Sequence, residues 1–180
     1  MPAPGNVAAY RGIAPSIHET AFIAPGAHVI GDVRIGERSS IWFNCVVRGD
    51  VNVIRMGART NLQDGSIVHV TTERFETFIG DDVLIGHMCL IHGCRLEDES
   101  FVGMGSTVMD GCVIERGGML GAGSLLPPGK IIRSGQLWLG RPARYVRDLT
   151  SEEIAANRLA VAHYVELAQE YRVPDPGRSR

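Results

Sequence analysis

The chain has 180 residues, 44% of them hydrophobic and 21% charged, with a formal net charge of -2. That length and apolar content suit one domain with its own core rather than two independent ones. The near-neutral balance, with no dense run of Lys or Arg, argues against nucleic acid or an anionic membrane surface as a partner.

The opening stretch, MPAPGNVAAYRG, has no basic segment followed by an apolar run, and nowhere do about 18 apolar residues follow one another. The expectation is a cytoplasmic protein with no membrane segment. From Ile17 onward aliphatic residues recur at every sixth position: Ile17, Ile23, Val29, Ile35, Ile41 and Val47. The beat returns three residues late at Met56, Leu62 and Val68, then after a longer interruption at Ile79, Ile85 and Ile91. One residue short, it restarts at Leu96 and runs through Val102, Val108, Ile114, Leu120, Leu126 and Ile132. Small residues such as Ala21, Ala27, Ser39, Cys45, Ser66, Cys89 and Ser106 stand four places after an aliphatic. Glycine accounts for 22 of the 180 residues, about 12% against a norm near 7%, so the chain needs many tight turns.

An amphipathic helix repeats near 3.6 residues and a strand at 2, so a period of six means a short strand plus a turn. Three such units close a triangular coil, and the aliphatics stack up its inside as a hexapeptide parallel β-helix. About nineteen units make about six coils, each about 4.8 Å above the last. The expected fold is therefore all-β over 1–149, with a short N-terminal lead-in. Its end at Ile132 would expose bare strand edges, and a helix over 150–173 is expected to cover them. Thr150 and Glu153 have capping-box spacing, Ile154, Val161, Val165 and Ala168 form one apolar stripe, and Pro174 stops the run. Residues 174–180 are expected to fray.

Units three apart share a face, so the register assigns side chains to columns. Arg48, His69 and His92 each directly follow an aliphatic of one column: Val47, Val68 and Ile91. His69 and His92 should then be neighbours one coil apart, about 5 Å between backbones, close enough for two imidazoles to converge on one ion. His87 follows Ile85 on the preceding face, sharing a column with Asp64 and lying near Gln63. The five residues from His87 to His92 span about 15 Å around the prism, so one chain should not bring all three together. If all three bind one metal, the third comes from a neighbouring copy, which predicts a homotrimer with three sites at its interfaces.

Three neutral imidazoles leave an ion with net positive charge and an open fourth position, where water acquires a pKa of about 7. Gln63 is the candidate for orienting the resulting hydroxide. Arg48 and Asp50 read as a buried or interfacial ion pair, with a solvated pair as the alternative. His18, His28 and His163 have no such partners and read as surface or structural residues. Cys45 and Cys89 fall in small inward slots about two coils apart, too far for a disulfide. Cys94, close to His92 in sequence, is weighed as a competing ligand and set aside.

These residues resemble the gamma-class carbonic anhydrases and their bacterial relatives. The specific segments are R-G-D at Arg48 to Asp50, N-x-Q-D at Asn61 to Asp64, His69, and G-H-x-x-x-x-H at Gly86 to His92. Longer stretches from GDVRIG to LGRPARYVRDLTSEE extend the likeness over nearly the whole chain. The resemblance implies a left-handed coil, with His69 and His92 of one subunit and His87 of the next holding the metal. It also implies that Arg48 and Asp50 pair across the trimer interface, that Gln63 contacts the metal-bound water, and that Asn61 and Asp64 lie in the surrounding network. Tyr164 falls where the family often carries a tyrosine near the site. The implied ion is Zn2+, with Fe2+ or Co2+ able to occupy such all-histidine sites. The implied reaction is attack of metal-bound hydroxide on carbon dioxide, a small-molecule substrate, to give bicarbonate.

Two departures from the most active members stand out. Val51 follows Asp50 where they carry a glutamate, and the segment from Val70 to Phe78 is shorter than their acidic loop. Low activity is therefore expected. Two other function classes compete with the anhydrase. One is an acyltransferase on the same repeat, or a coenzyme A thioester hydrolase; the other is a trimeric scaffold whose metal only ties subunits together.

Overall fold

The computed structural model describes residues 6–173. Pro174 and the expected tail, 174–180, lie outside the described residues. Each unit is a short strand followed by a turn, as at Asn61–Leu62, Leu84–Ile85 and Phe101–Val102. Units three apart pair in parallel, with Ile85 opposite Leu62 on one side and Val102 on the other. The inward aliphatics Ile41, Leu62, Ile85, Val102 and Leu120 are fully buried. Each such burial stabilises by about 1.5–3 kcal/mol relative to exposure, so the beat is the core of the molecule as well as its ruler.

One face stacks Asn6–Ala8, His28–Ile35, Val46–Met56, Ile67–His69, Leu90–His92, Thr107–Val108 and Leu125–Leu126, seven strands deep. The solenoid is thus one coil longer than the beat predicts. The added units sit at its ends. Val7 pairs with Val29 but is separated from Ile17 by a small turn in which Tyr10 bridges Ile13. Trp138 continues the rhythm six residues after Ile132, against Leu120, and an aromatic residue was not counted as part of an aliphatic pattern.

The helix also lies elsewhere than expected. An antiparallel hairpin, Gln136–Gly140 with Ala143–Asp148, adds to Met119–Leu120 and finishes that end of the solenoid. From there the helix Ser151–Arg172 runs back along the face built by Phe22–Ile23, Ser40–Ile41, Asn61–Leu62 and Leu84–Ile85. Its 22 residues span about 33 Å at 1.5 Å each, close to the height of seven coils at about 4.8 Å. A helix as long as the prism fits beside it rather than over its end.

The helix starts where the sequence places it. Thr150 Oγ1 accepts from the Glu153 amide at 3.3 Å, and the Thr150 amide donates to Glu153 Oε2 at 2.9 Å. Val161, Val165 and Ala168 are buried, and Ile154 is partly so. On the same side Tyr164 meets Trp42 edge-on, with ring centroids 5.5 Å apart. Among the described residues no helix is long and apolar enough to cross a membrane.

Candidate metal centre

His69 ends the strand Ile67–His69, His92 ends Leu90–His92, and the two are register partners in adjacent coils. Their rings meet as the column count predicts, His69 Nδ1 lying 3.2 Å from His92 Nε2. The outer nitrogen of each ring has a carboxylate. His69 Nε2 is 3.0 Å from Asp50 Oδ1, and His92 Nδ1 is 2.6 Å from Asp110 Oδ1. Asp50 also takes the Arg48 guanidinium at 2.5 Å, within the same chain. Burial pushes the Asp50 carboxyl up, but hydrogen bonds from His69 and Arg48 outweigh it and leave its pKa lowered. Asp110 follows the same pattern: burial raises it, and hydrogen bonds from His92 and Thr71 bring it down below the ordinary value.

The carboxylates assign the tautomers. An ionised carboxylate only accepts, so His69 gives its Nε2–H to Asp50 and His92 gives its Nδ1–H to Asp110. The two nitrogens that face each other then both carry lone pairs. Two acceptors do not hold at 3.2 Å unless a metal ion or a shared proton lies between them. A tetrahedral ion with bonds of about 2.0–2.1 Å sets its ligand nitrogens about 3.3–3.4 Å apart, so the gap fits zinc.

His87 is in the turn after Leu84–Ile85, on another corner, with its carbonyl accepting from Gly105. Its Nδ1 is 2.9 Å from Asp64 Oδ2, and its side chain is 41% exposed, against 18% for His69 and 26% for His92. The contact is one of distance alone, without the hydrogen bond that holds His69 and His92. Among the described residues no three His, Cys, Asp or Glu side chains of one chain converge as a ligand set.

The amides gather with His87 rather than with the histidine pair. Gln63 Nε2 donates to Asn61 Oδ1 at 3.1 Å, both residues are almost wholly buried, and Asn61 Nδ2 has no partner. Gln63 Oε1 is left to accept from something else. The helix packs Tyr164 against Leu84, on the strand that leads to His87, and burial raises its hydroxyl pKa, with a further push from the charge of Asp64. One chain therefore carries two clusters of polar residues: Arg48, Asp50, His69 and His92 on one corner, and Asn61, Gln63, Asp64, His87 and Tyr164 toward another.

A family model described as bacterial transferase hexapeptide (six repeats) matches residues 14–49. A carbonic anhydrase of Geobacillus kaustophilus is 45% identical over 163 residues, 91% of this chain and 89% of that one. The mitochondrial gamma carbonic anhydrase 1 of Arabidopsis thaliana is 50% identical over 161 residues, 87% of this chain and 58% of that one. The chain belongs to the gamma carbonic anhydrase family. It spans about three fifths of the length of the plant relatives it matches. A solved structure of a hexapeptide transferase family protein from Anaplasma phagocytophilum superposes with a TM-score of 0.89 at 49% identity, over 92% of this chain and 98% of that one.

One residue beside the histidine pair of this gamma carbonic anhydrase relative does not stand out in the sequence. This is Asp110, although the column count puts it one coil beyond Gly93 and so beside His92. Gly93 has φ +54°, and a Cβ there would collide with the Asp110 carboxylate and with Phe75, so this glycine lets the carboxylate approach. Cys94 is 3% exposed, with its thiol pKa raised by burial, and it belongs to the interior.

Proposed function

We propose that the protein is a metal-dependent carbonic anhydrase, hydrating carbon dioxide reversibly to bicarbonate at sites shared between subunits of a homotrimer. The facing lone pairs of His69 and His92 carry this reading, because they call for a cation. His69 and His92 of one subunit, with His87 of the next, would hold it. Zinc suits the spacing, and ferrous iron or cobalt can take the same imidazole set. When bound, the ion makes a water molecule acidic enough, with a pKa of about 7, to serve as the nucleophile at neutral pH.

The chain's own residues divide the remaining work. Asp50 and Asp110 hold His69 and His92 in the tautomers that leave a ligating nitrogen free, and Asp64 stands beside His87. Gln63 is oriented through its amide group by Asn61, so its Oε1 can accept a hydrogen bond from the nucleophilic water and aim its lone pair at the carbon. The unpartnered Asn61 Nδ2 is a donor for an oxygen of the substrate or of bicarbonate, and Tyr164 closes this corner from the helix. Arg48 keeps Asp50 ionised, and at 43% exposed it retains guanidinium surface for contact with the neighbouring subunit. Each turnover must release a proton. With Val51 next to Asp50 and with Glu73 and Glu76 both exposed, release falls to the solvent buffer, so hydration is expected to be slow and to rise with buffer concentration.

The test is metal content together with stopped-flow hydration of carbon dioxide, on the wild type and on His87→Ala. The expected result is about one metal ion per subunit and hydration faster than buffer alone, both lost in His87→Ala. A wild type without metal, hydration no faster than buffer, or a stable monomer of 19.5 kDa would each refute the proposal.

A further inference from the structure

A circuit of polar contacts, closed by one stretch of strand backbone, runs through the histidine pair. From Asp50 it runs through His69 to His92 and on to Asp110. Asp110 Oδ2 accepts from Thr71 Oγ1 at 2.7 Å, and the Thr71 carbonyl accepts from Asn52 Nδ2 at 3.1 Å. Asn52 and Asp50 lie on one strand, Val46–Met56, which completes the circuit. Thr71 lies in the loop between the strands Ile67–His69 and Thr77–Ile79, and its hydroxyl and carbonyl make consecutive links. The loop is itself braced. Thr71 bridges Phe75, the Phe75 ring packs beside Gly93 and Gly111, and the Arg74 guanidinium lies 5.1 Å from the ring centroid.

We infer that Thr71 is a positioning residue that fixes His92 for metal binding through Asp110. The inference rests on the metal-site reading above. Asp110 has two oxygens. With Oδ2 occupied by the Thr71 hydroxyl, Oδ1 remains directed at His92 Nδ1, and the proton held there leaves Nε2 as the lone-pair atom. Without the hydroxyl the carboxylate is free to rotate, and His92 loses the partner that selects one tautomer. Outer hydrogen-bond partners of metal-bound imidazoles commonly contribute about 10–100-fold in metal affinity. The hydroxyl, rather than the shape of a β-branched side chain, is what the circuit uses.

The test compares Thr71→Val, which keeps the shape, with Thr71→Ser, which keeps the hydroxyl, in the full chain. Zn2+ affinity is measured by competition with a chromophoric chelator, and the His92 tautomer is read in the metal-free protein from long-range proton–nitrogen correlation spectra. Thr71→Val is expected to bind Zn2+ about 10–100-fold more weakly and to show mixed tautomers at His92, while Thr71→Ser stays within a few-fold of wild type with the Nδ1–H form retained. Unchanged Zn2+ affinity in Thr71→Val, or an unchanged His92 tautomer, overturns the inference. Failure of the wild type to bind Zn2+ refutes the metal-site reading instead, and the tautomer comparison in metal-free protein still judges Thr71 separately.

Discussion

If the two clusters of one chain belong to different metal centres, two inactive variants should repair each other. A His92→Ala chain still offers His87 with Asn61, Gln63 and Asp64, and a His87→Ala chain still offers His69 and His92. Around a closed three-fold ring every interface takes the histidine pair from one subunit and His87 from the next. An interface is whole only where a His87→Ala chain supplies the pair and its neighbour is a His92→Ala chain. For random assembly of equal amounts that has a chance of about one quarter per interface, with one whole site in each mixed trimer. Each variant alone should retain almost no metal. Co-expressed or co-refolded, they should recover about a quarter of the wild-type metal content and hydration rate. The assay is metal analysis and stopped-flow hydration on the mixture and on both parents. A mixture no better than its parents would refute the shared site, and so would a His87→Ala protein that binds metal as tightly as wild type.

Three further outcomes follow from the core and the charges. Ile85 has no exposed surface, so Ile85→Ala should lower unfolding stability by about 2–5 kcal/mol in urea titration; a loss below about 1 kcal/mol would mean that the coil collapses around the gap. Burial pushes the Cys45 thiol from 9.0 up to about 12. The folded chain then keeps a proton that the unfolded chain releases, so the Cys45 contribution to stability should be constant below pH 9 and fall as pH climbs toward 12, and thiol reagents at pH 8 should label Cys45 only on unfolding. Hydrogen bonds from Arg147 and from the Thr150 backbone lower the Glu153 carboxyl from 4.5 to about 2. Its contribution is therefore present above the ordinary carboxylate range and lost as pH falls toward 2. The difference in melting temperature between wild type and Glu153→Gln should shrink over that interval, and a difference independent of pH would contradict the assignment.

Much of the site was legible because a period-six repeat converts sequence position into spatial position. Counting units stacked His69 on His92 and sent His87 to another corner, and the register His92 to His69 follows that count. The same arithmetic fails where contacts leave the ladder. Asp110 reaches His92 by side-chain rotation, and Thr71 reaches Asp110 across a loop whose course no periodicity describes. At the solenoid's ends the limit was chemical: Trp138 occupies an aliphatic slot, and the hairpin Gln136–Gly140 with Ala143–Asp148 replaces parallel pairing by antiparallel. The helix was recognised by its cap and stripe, but its docking face depends on Trp42 and Phe22, which meet Tyr164 and Tyr171 from far along the chain.

The irregularities of the repeat are not scattered. The beat is broken between Val47 and Met56, between Val68 and Ile79, and between Ile91 and Leu96. Val47 pairs with Val68 and Val68 with Ile91, while Met56 pairs with Ile79 and Ile79 with Leu96. All three breaks therefore turn the same corner of the triangle, on three successive coils. The first carries Arg48, Asp50 and Asn52, the second His69 and Thr71, and the third His92 and Gly93. A regular unit presents its turn side chains at fixed intervals, as where Asp64 lies 2.9 Å from His87 of the next coil, and leaves no spare chain for a second set of side chains to reach across. The extra residues in the first two breaks give Asp50 and Thr71 that reach, and the missing residue in the third, with the glycine at its centre, clears the approach for Asp110. Departure from the local rule, concentrated where side chains must converge, is what a functional site on a repetitive scaffold should look like.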